Sequence, residues 1–172
     1  STEAHGTQTE FPSAFVATMP IREHRATLSA AEVGADFTVS PFYNVDGADL
    51  SSPATDSLPT TVGDGRLWDQ DSDGNPGITI HIEAPFGVRG DVYLTQRSRY
   101  EYEGFVVAQD RVEAYVDYEQ EQSIIEATSP FLTMAEIVPI TNPDPTTSYV
   151  IFQQVDDGTN CDAIKRSRNS LF

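Results

Sequence analysis

From residue 78 onward the chain keeps changing sides. Ile78, Ile80 and Ile82 alternate with Thr79, His81 and Glu83. Further on, Val112, Ala114, Val116 and Tyr118 alternate with Arg111, Glu113, Tyr115 and Asp117. A period of two is the side-chain repeat of a β-strand, whereas a helix repeats every 3.6 residues. Between these runs, residues 91–103 read as one long strand, with Gly104 as a bend or bulge. Residues 149–155 (Tyr-Val-Ile-Phe-Gln-Gln-Val) read as another strand, rich in β-branched and aromatic side chains. Shorter strand signals lie at 14–19, 36–40 and 131–139. Residues 21–30 fit either an extended segment or a short helix, and 121–127 either continue a strand or start a helix. The end of the chain reads as a short helix or an irregular tail.

No strand–helix–strand rhythm is present, so antiparallel connectivity is expected. The expectation is an all-β antiparallel meander. A closed, lipocalin-like β-barrel is preferred over a two-sheet sandwich, because the strands after residue 78 follow one another as meander arms and closure removes exposed edges. The 172 residues suit one domain. Residues 1–13 are polar and read as a flexible N-terminal arm, 14–161 as a single β domain, and 162–172 as a C-terminal tail. Within the domain, residues 43–77 form a long polar loop rich in Asp, Gly, Ser, Thr and Pro. A loop of that length in a compact domain is either functional or mobile.

The loop ends in the densest chemistry of the sequence, Asp69-Gln-Asp71-Ser-Asp73-Gly-Asn75-Pro-Gly77. Calcium takes six to eight hard oxygen ligands. Three carboxylates spaced two residues apart supply much of that shell and repel one another without a cation. Gly74 permits the sharp turn that wraps chain around an ion. With Asp69 as position one, Asn75 falls at position seven, where a calcium loop uses a backbone carbonyl. Asp69, Asp71, Asp73 and Asn75 are therefore the candidate Ca²⁺ ligands. The bland alternative is an acidic, solvated turn. Magnesium fits less well, because it demands strict octahedral geometry and keeps more of its water.

Residues 69–75 resemble the first part of an EF-hand or dockerin-like calcium loop, and also the Asp-rich loops of thrombospondin type-3 repeats. The resemblance covers about nine residues. It departs at position twelve, where Ile80 stands in place of the bidentate Glu, and the flanks read as loop and strand rather than as helices. It implies a calcium staple rather than a sensor with moving helices. The missing ligand is expected from Glu83, Asp64, Asp46, Asp49 or water. The stretch from Asp69 through Ile78-Thr79, followed by strands with Gln96-Arg97 and Glu121-Gln122-Ser123, also resembles secreted and lipoprotein-like β proteins of myxobacteria and related bacteria, a group that implies no particular activity.

Charge narrows the partners. There are 27 acidic and 10 basic residues, a formal charge of -17, and nine of the basic residues are Arg. This disfavours nucleic acid and anionic lipid and suits cation binding or a salty medium. No run of apolar residues is long enough for a membrane-spanning helix. Cys161 is the only cysteine. It suits a buried thiol, an intermolecular bond or an exposed loop, and no Cys/His signature surrounds it. His5, His24 and His81 lie far apart and form no zinc pattern. A second acidic turn, Asp156-Asp157-Gly-Thr-Asn-Cys-Asp162, lacks the alternating ligand spacing. Arg97, Arg99, Glu101 and Glu103 share one strand face and read as cross-strand ion pairs. No nucleophile elbow, phosphate loop or dinucleotide fingerprint is present.

The expected function is an extracytoplasmic (secreted, periplasmic or cell-surface) structural or protein-interaction module, stabilised by calcium, with no catalysis expected. Its partner would be another protein or a second copy. A lipocalin-like carrier of a small apolar ligand is the alternative, and it needs a hollow barrel. A carboxylate-dependent hydrolase ranks below both.

Overall fold

Burial follows the alternation read from the sequence except at Thr79, which is buried as well. Ile78, Ile80 and Ile82 are all 5% exposed or less, while His81 and Glu83 face solvent. The computed structural model describes residues 2–4, 7–20, 22–84, 87–133, 144 and 147–171. They form eight strands and two helices. The strands are β1 (Thr2–Ala4), β2 (Thr7–Glu10), β3 (Ala26–Leu28), β4 (Asp36–Asp46), β5 (Ile78–Ala84), β6 (Val88–Ala108), β7 (Arg111–Ala127) and β8 (Tyr149–Gln153). The helices are α1 (Ser13–Thr18) and α2 (Cys161–Leu171).

All eight strands belong to one sheet, ordered β1-β2-β5-β6-β4-β3, with β7 pairing β6 and β8 pairing β7. The register of β5 on β6 runs from Ile78 opposite Leu94 to Ala84 opposite Val88. The expectation of an all-β, mainly antiparallel sheet holds; that of a closed, lipocalin-like barrel does not. β6 is 21 residues long and pairs with β5, β4 and β7, so the sheet branches at one strand instead of curling back to meet its own start. Among the described residues, β1, β3 and β8 each have a single neighbour, and they leave the sheet open. The carrier reading loses the closed barrel on which it depended.

Several local expectations change as well. The polar segment read as an arm contains β1 and β2, and β2 pairs with β5 through Gln8–Glu83, Thr9–Ile82 and Glu10–His81. Residues 14–19, read as a strand, lie mostly in α1, which places Phe15 at 1% exposure. The strand signal at 36–40 extends past Pro41, and β4 continues to Asp46. Residues 121–127 continue β7, and the tail forms α2. Most of the strand expected at 131–139 lies outside the described residues.

The chain divides into two compact units. The first comprises Ser1–Arg22, Tyr43–Arg99 and Glu119–Ile140. Its main core joins Phe15, Ile78, Ile80, Ile82, Val92, Leu94 and Leu132. Each such buried side chain contributes about 1.5–3 kcal/mol relative to exposure. A smaller cluster of Ala48, Leu50 and Leu58 packs the long loop against itself, with Val45 beside it. The second unit comprises Glu23–Phe42, Tyr100–Tyr118 and Thr141–Phe172. It is built on Phe37, Val39 and Ala114 and on an aromatic group of Phe42, Tyr100, Tyr102, Tyr118 and Phe152. His24 belongs to that group, its ring stacked on Phe42 at 3.7 Å.

Candidate metal centre

The backbone is crowded at the base of the acidic loop. Gly77 has φ of +85°, and a Cβ there would lie 2.3 Å from the carbonyl oxygen of Leu94 on β6. Gly47, with φ of +73°, is also crowded, since its Cβ would lie 2.8 Å from Gly77 Cα and from the same Leu94 oxygen. Only glycine fits either position without strain. The Gln70 N–H donates to Gly77 O at 3.1 Å and closes the loop, while the Trp68 N–H donates to Gly47 O at 3.0 Å and ties it to the end of β4. Within the loop, Ser72 and Gly74 both take positive φ, 59° and 87°.

This backbone turns three carboxylates toward one point. Asp69, Asp71 and Asp73 each offer an oxygen, and those oxygens lie within 4.8 Å of one another. All but one of the cluster's oxygens are hydrogen-bonded, three from the loop backbone and two from Thr79 of β5. Asp69 Oδ1 accepts from the Asp73 N–H at 3.1 Å and Oδ2 from the Gly74 N–H at 3.0 Å. Asp73 Oδ1 accepts from the Asn75 N–H at 2.8 Å, and its Oδ2 from the Thr79 hydroxyl at 2.5 Å. Asp71 Oδ2 accepts from the Thr79 N–H at 2.9 Å. The exception is Asp71 Oδ1, which is buried and has no partner among the described residues. Asp71 as a whole is 5% exposed.

Electrostatics separates the members. Burial raises the pKa of Asp71; the Thr79 N–H opposes this, and the neighbouring Asp73 and Asp69 charges add to it. Burial acts the same way on Asp73, but hydrogen bonds from Thr79 and Asn75 outweigh it and hold that carboxyl below its usual range. One member is thus strained by its charge and another is comfortable with it. A cation could satisfy the first, because an unpaired buried carboxylate is costly and a metal ion compensates it directly. The donor set is all oxygen, which selects hard divalent ions such as calcium or magnesium over zinc or copper.

The residues expected from outside the loop do not join this cluster among the described residues. Asp64 is engaged by Arg66, whose Nη2 and Nε reach it at 2.7 and 3.0 Å and which holds its pKa down to about 2. Glu83 pairs with Arg89. Asp49 is exposed, and its N–H bonds to Arg66 O. Asp46 has its pKa raised by burial, partly offset by Arg22 and Gln70. Asn75 sits in the loop as the sequence placed it, and its N–H serves Asp73. Thr79, buried near the start of β5, supplies the two bonds that anchor Asp71 and Asp73 to the sheet.

Sequence reasoning missed Gln70. It lies between Asp69 and Asp71, is 2% exposed, and its Oε1 accepts from the Gly47 N–H at 2.8 Å. Its Nε2 makes no well-formed hydrogen bond among the described residues, although the amide lies close enough to Asp46 to favour that carboxylate's charged form. The signal was its place: in a run whose alternate residues are acidic, the residues between them point elsewhere, and an uncharged amide there suits a buried anchor.

The remaining candidates stay dispersed. The 156–162 turn is exposed throughout, and its acids form no cluster with three ligands. Cys161 is exposed at the start of α2. His81 Nδ1 pairs with Asp91 Oδ1 at 2.5 Å on the solvent side of β5. Arg97 pairs with Glu121 and also donates to the carbonyls of Pro53 and Asp56, so it pins the long loop to the sheet. No helix among the described residues is long and apolar enough to cross a membrane. Comparison with protein-family models, curated proteins and solved structures finds no match to this chain.

Proposed function

We propose that the chain is a calcium-stabilised structural or protein-interaction module that works outside the cytoplasm. The observation that carries this reading is Asp71 Oδ1, a buried carboxylate oxygen without a hydrogen-bond partner among the described residues, inside a cluster of three acids. Asp69, Asp71 and Asp73 would hold the ion, and water would complete the shell. With three protein carboxylates and no bidentate Glu, the affinity falls toward the weak end of calcium loops, about 10⁻⁴–10⁻³ M, a range suited to extracellular calcium. That range is the argument for a secreted, periplasmic or cell-surface setting.

The ion's task in this reading is mechanical. It neutralises the repulsion among the three acids and locks the loop onto Thr79, at the head of the strand whose isoleucines fill the main core. The loop and β5 then become one rigid element. Titration calorimetry of chelator-treated protein tests the idea, with Ca²⁺ and Mg²⁺ run separately beside thermal melts. Saturable heat with Ca²⁺ and a raised melting temperature are expected. No heat, together with a melting temperature that chelator leaves unchanged, sinks the proposal.

A further inference from the structure

Three strands end the sheet, and they are not equally protected. β1 and β3 are three residues each, the short edge that natural sheets commonly use against unwanted pairing. β8 has five residues, Tyr149–Gln153, and contains neither a charge nor a proline. Its pairing with β7 leaves its other side without a strand among the described residues.

The ladder decides which groups face outward. The Gln154 N–H donates to Asp110 O, and the Val116 N–H donates to Ser148 O. Hydrogen-bonded pairs in an antiparallel ladder recur every second residue. Given the register of Val150 on Ala114 and Phe152 on Val112, those two residues direct their backbone groups to β7. Tyr149, Ile151 and Gln153 therefore turn their N–H and C=O groups to the open edge.

Charge identifies the occupant. At a net charge of -17, two copies of the chain repel over most of their surface. Residues 145–155 are eleven consecutive positions without an acidic or basic side chain, as long an uncharged run as the sequence contains. A basic partner would find nothing to pair with on this strand, whereas a second copy of it meets no like charge. Two identical antiparallel strands are also self-complementary about a twofold axis.

We propose that two copies of the chain join through antiparallel β8–β8 pairing centred on Ile151, which continues the sheet across the dimer. This names the partner within the interaction-module reading and rests on that reading for its purpose, but it does not depend on the cation.

Sedimentation velocity over about 1–200 µM tests it, because six edge hydrogen bonds of ordinary strength fit a micromolar association. Each run is made in Ca²⁺ and in chelator, so loss of calcium binding and loss of dimerisation are read separately. Ile151→Pro removes an outward N–H without touching the ladder to β7. Ile151→Lys places a charge on the edge, and Ile151→Val retains the strand; circular dichroism checks that each variant folds. Wild type and Ile151→Val should dimerise with concentration, and the Pro and Lys variants at least ~10-fold more weakly. Amide exchange on the wild type adds a readout that needs no variant: the Tyr149 and Ile151 amides should slow as concentration rises. A wild type that stays monomeric throughout, exchange at those amides that ignores concentration, or a dimer unchanged in folded Pro and Lys variants would each overturn the proposal.

Discussion

The loop at 69–77 and the turn at 156–162 each hold three aspartates within nine residues, yet only the first gathers them. The difference lies behind the carboxylates. In the loop, Asp71 is buried, Gln70 is anchored to Gly47, and Thr79 bonds two of the acids. In the turn, every residue is exposed, and the bonds are local ones, such as the Thr159 N–H to Asp156 O at 3.0 Å. Acidic composition makes a negative surface. A metal centre also requires a scaffold that holds like charges together and hides one of them from water.

The comparison breaks most completely if the scaffold is removed. Gly77→Ala combines a positive φ with a contact on the Leu94 carbonyl and should cost about 3 kcal/mol or more, by analogy with the largest strain and overpacking effects. A denaturant melt of the cation-free variant measures it. Asp71→Asn should weaken Ca²⁺ binding by about 100-fold, or ~2.7 kcal/mol, while leaving a fold at least as stable as wild type without the ion. Calorimetry beside a melt separates those two outcomes. Gln70→Ala strips the Gly47 N–H of its buried acceptor and should cost about 1–3 kcal/mol in stability. At the far end, Asp157→Asn in the exposed turn should change stability by no more than ~0.5 kcal/mol and leave calcium affinity untouched.

A pH series sharpens the same contrast. The folded pKa of Asp71 is raised. Without a cation, its stabilising contribution is therefore full below the unfolded value near 3.8 and is lost as pH rises through the higher folded value. Cation binding needs the ionised form, so Ca²⁺ affinity should fall as pH drops through that window. Asp64 runs the other way. With its folded pKa at about 2, it supports the fold above 3.8 and stops doing so as pH falls toward 2. Melts of wild type, Asp71→Asn and Asp64→Asn across pH 2–7 should show slopes of opposite sign for the two groups.

Much of this was legible in the residues. The isoleucines of β5 announced both strand and core face, and the spacing of Asp69, Asp71 and Asp73 announced the cluster. What escaped depended on distant partners. Thr7–Glu10 has no apolar face and becomes a strand because β5 offers it an edge. Residues 14–19 are too short for periodicity to separate helix from strand, and one buried ring, Phe15, settles the matter. Closure of the sheet was illegible because alternation reports which way side chains point and says nothing of how many neighbours a strand will take. Gln70 was passed over because its place between aspartates hints at an anchor without naming its partner, Gly47, 23 positions earlier in the chain.

The length of β6 bears on how the molecule assembles. β6 and β7 are joined by only Gln109 and Asp110, so their pairing closes a minimal loop and needs almost no search. β5 also reaches β6 through a short connection, whereas β2 must find β5 across some seventy residues. Contacts between near neighbours in sequence form fastest, and distant pairings wait. The three central strands should therefore serve as the early template, with the amino-terminal strands added last, and mutations along β6 should slow folding where mutations in β2 mainly hasten unfolding.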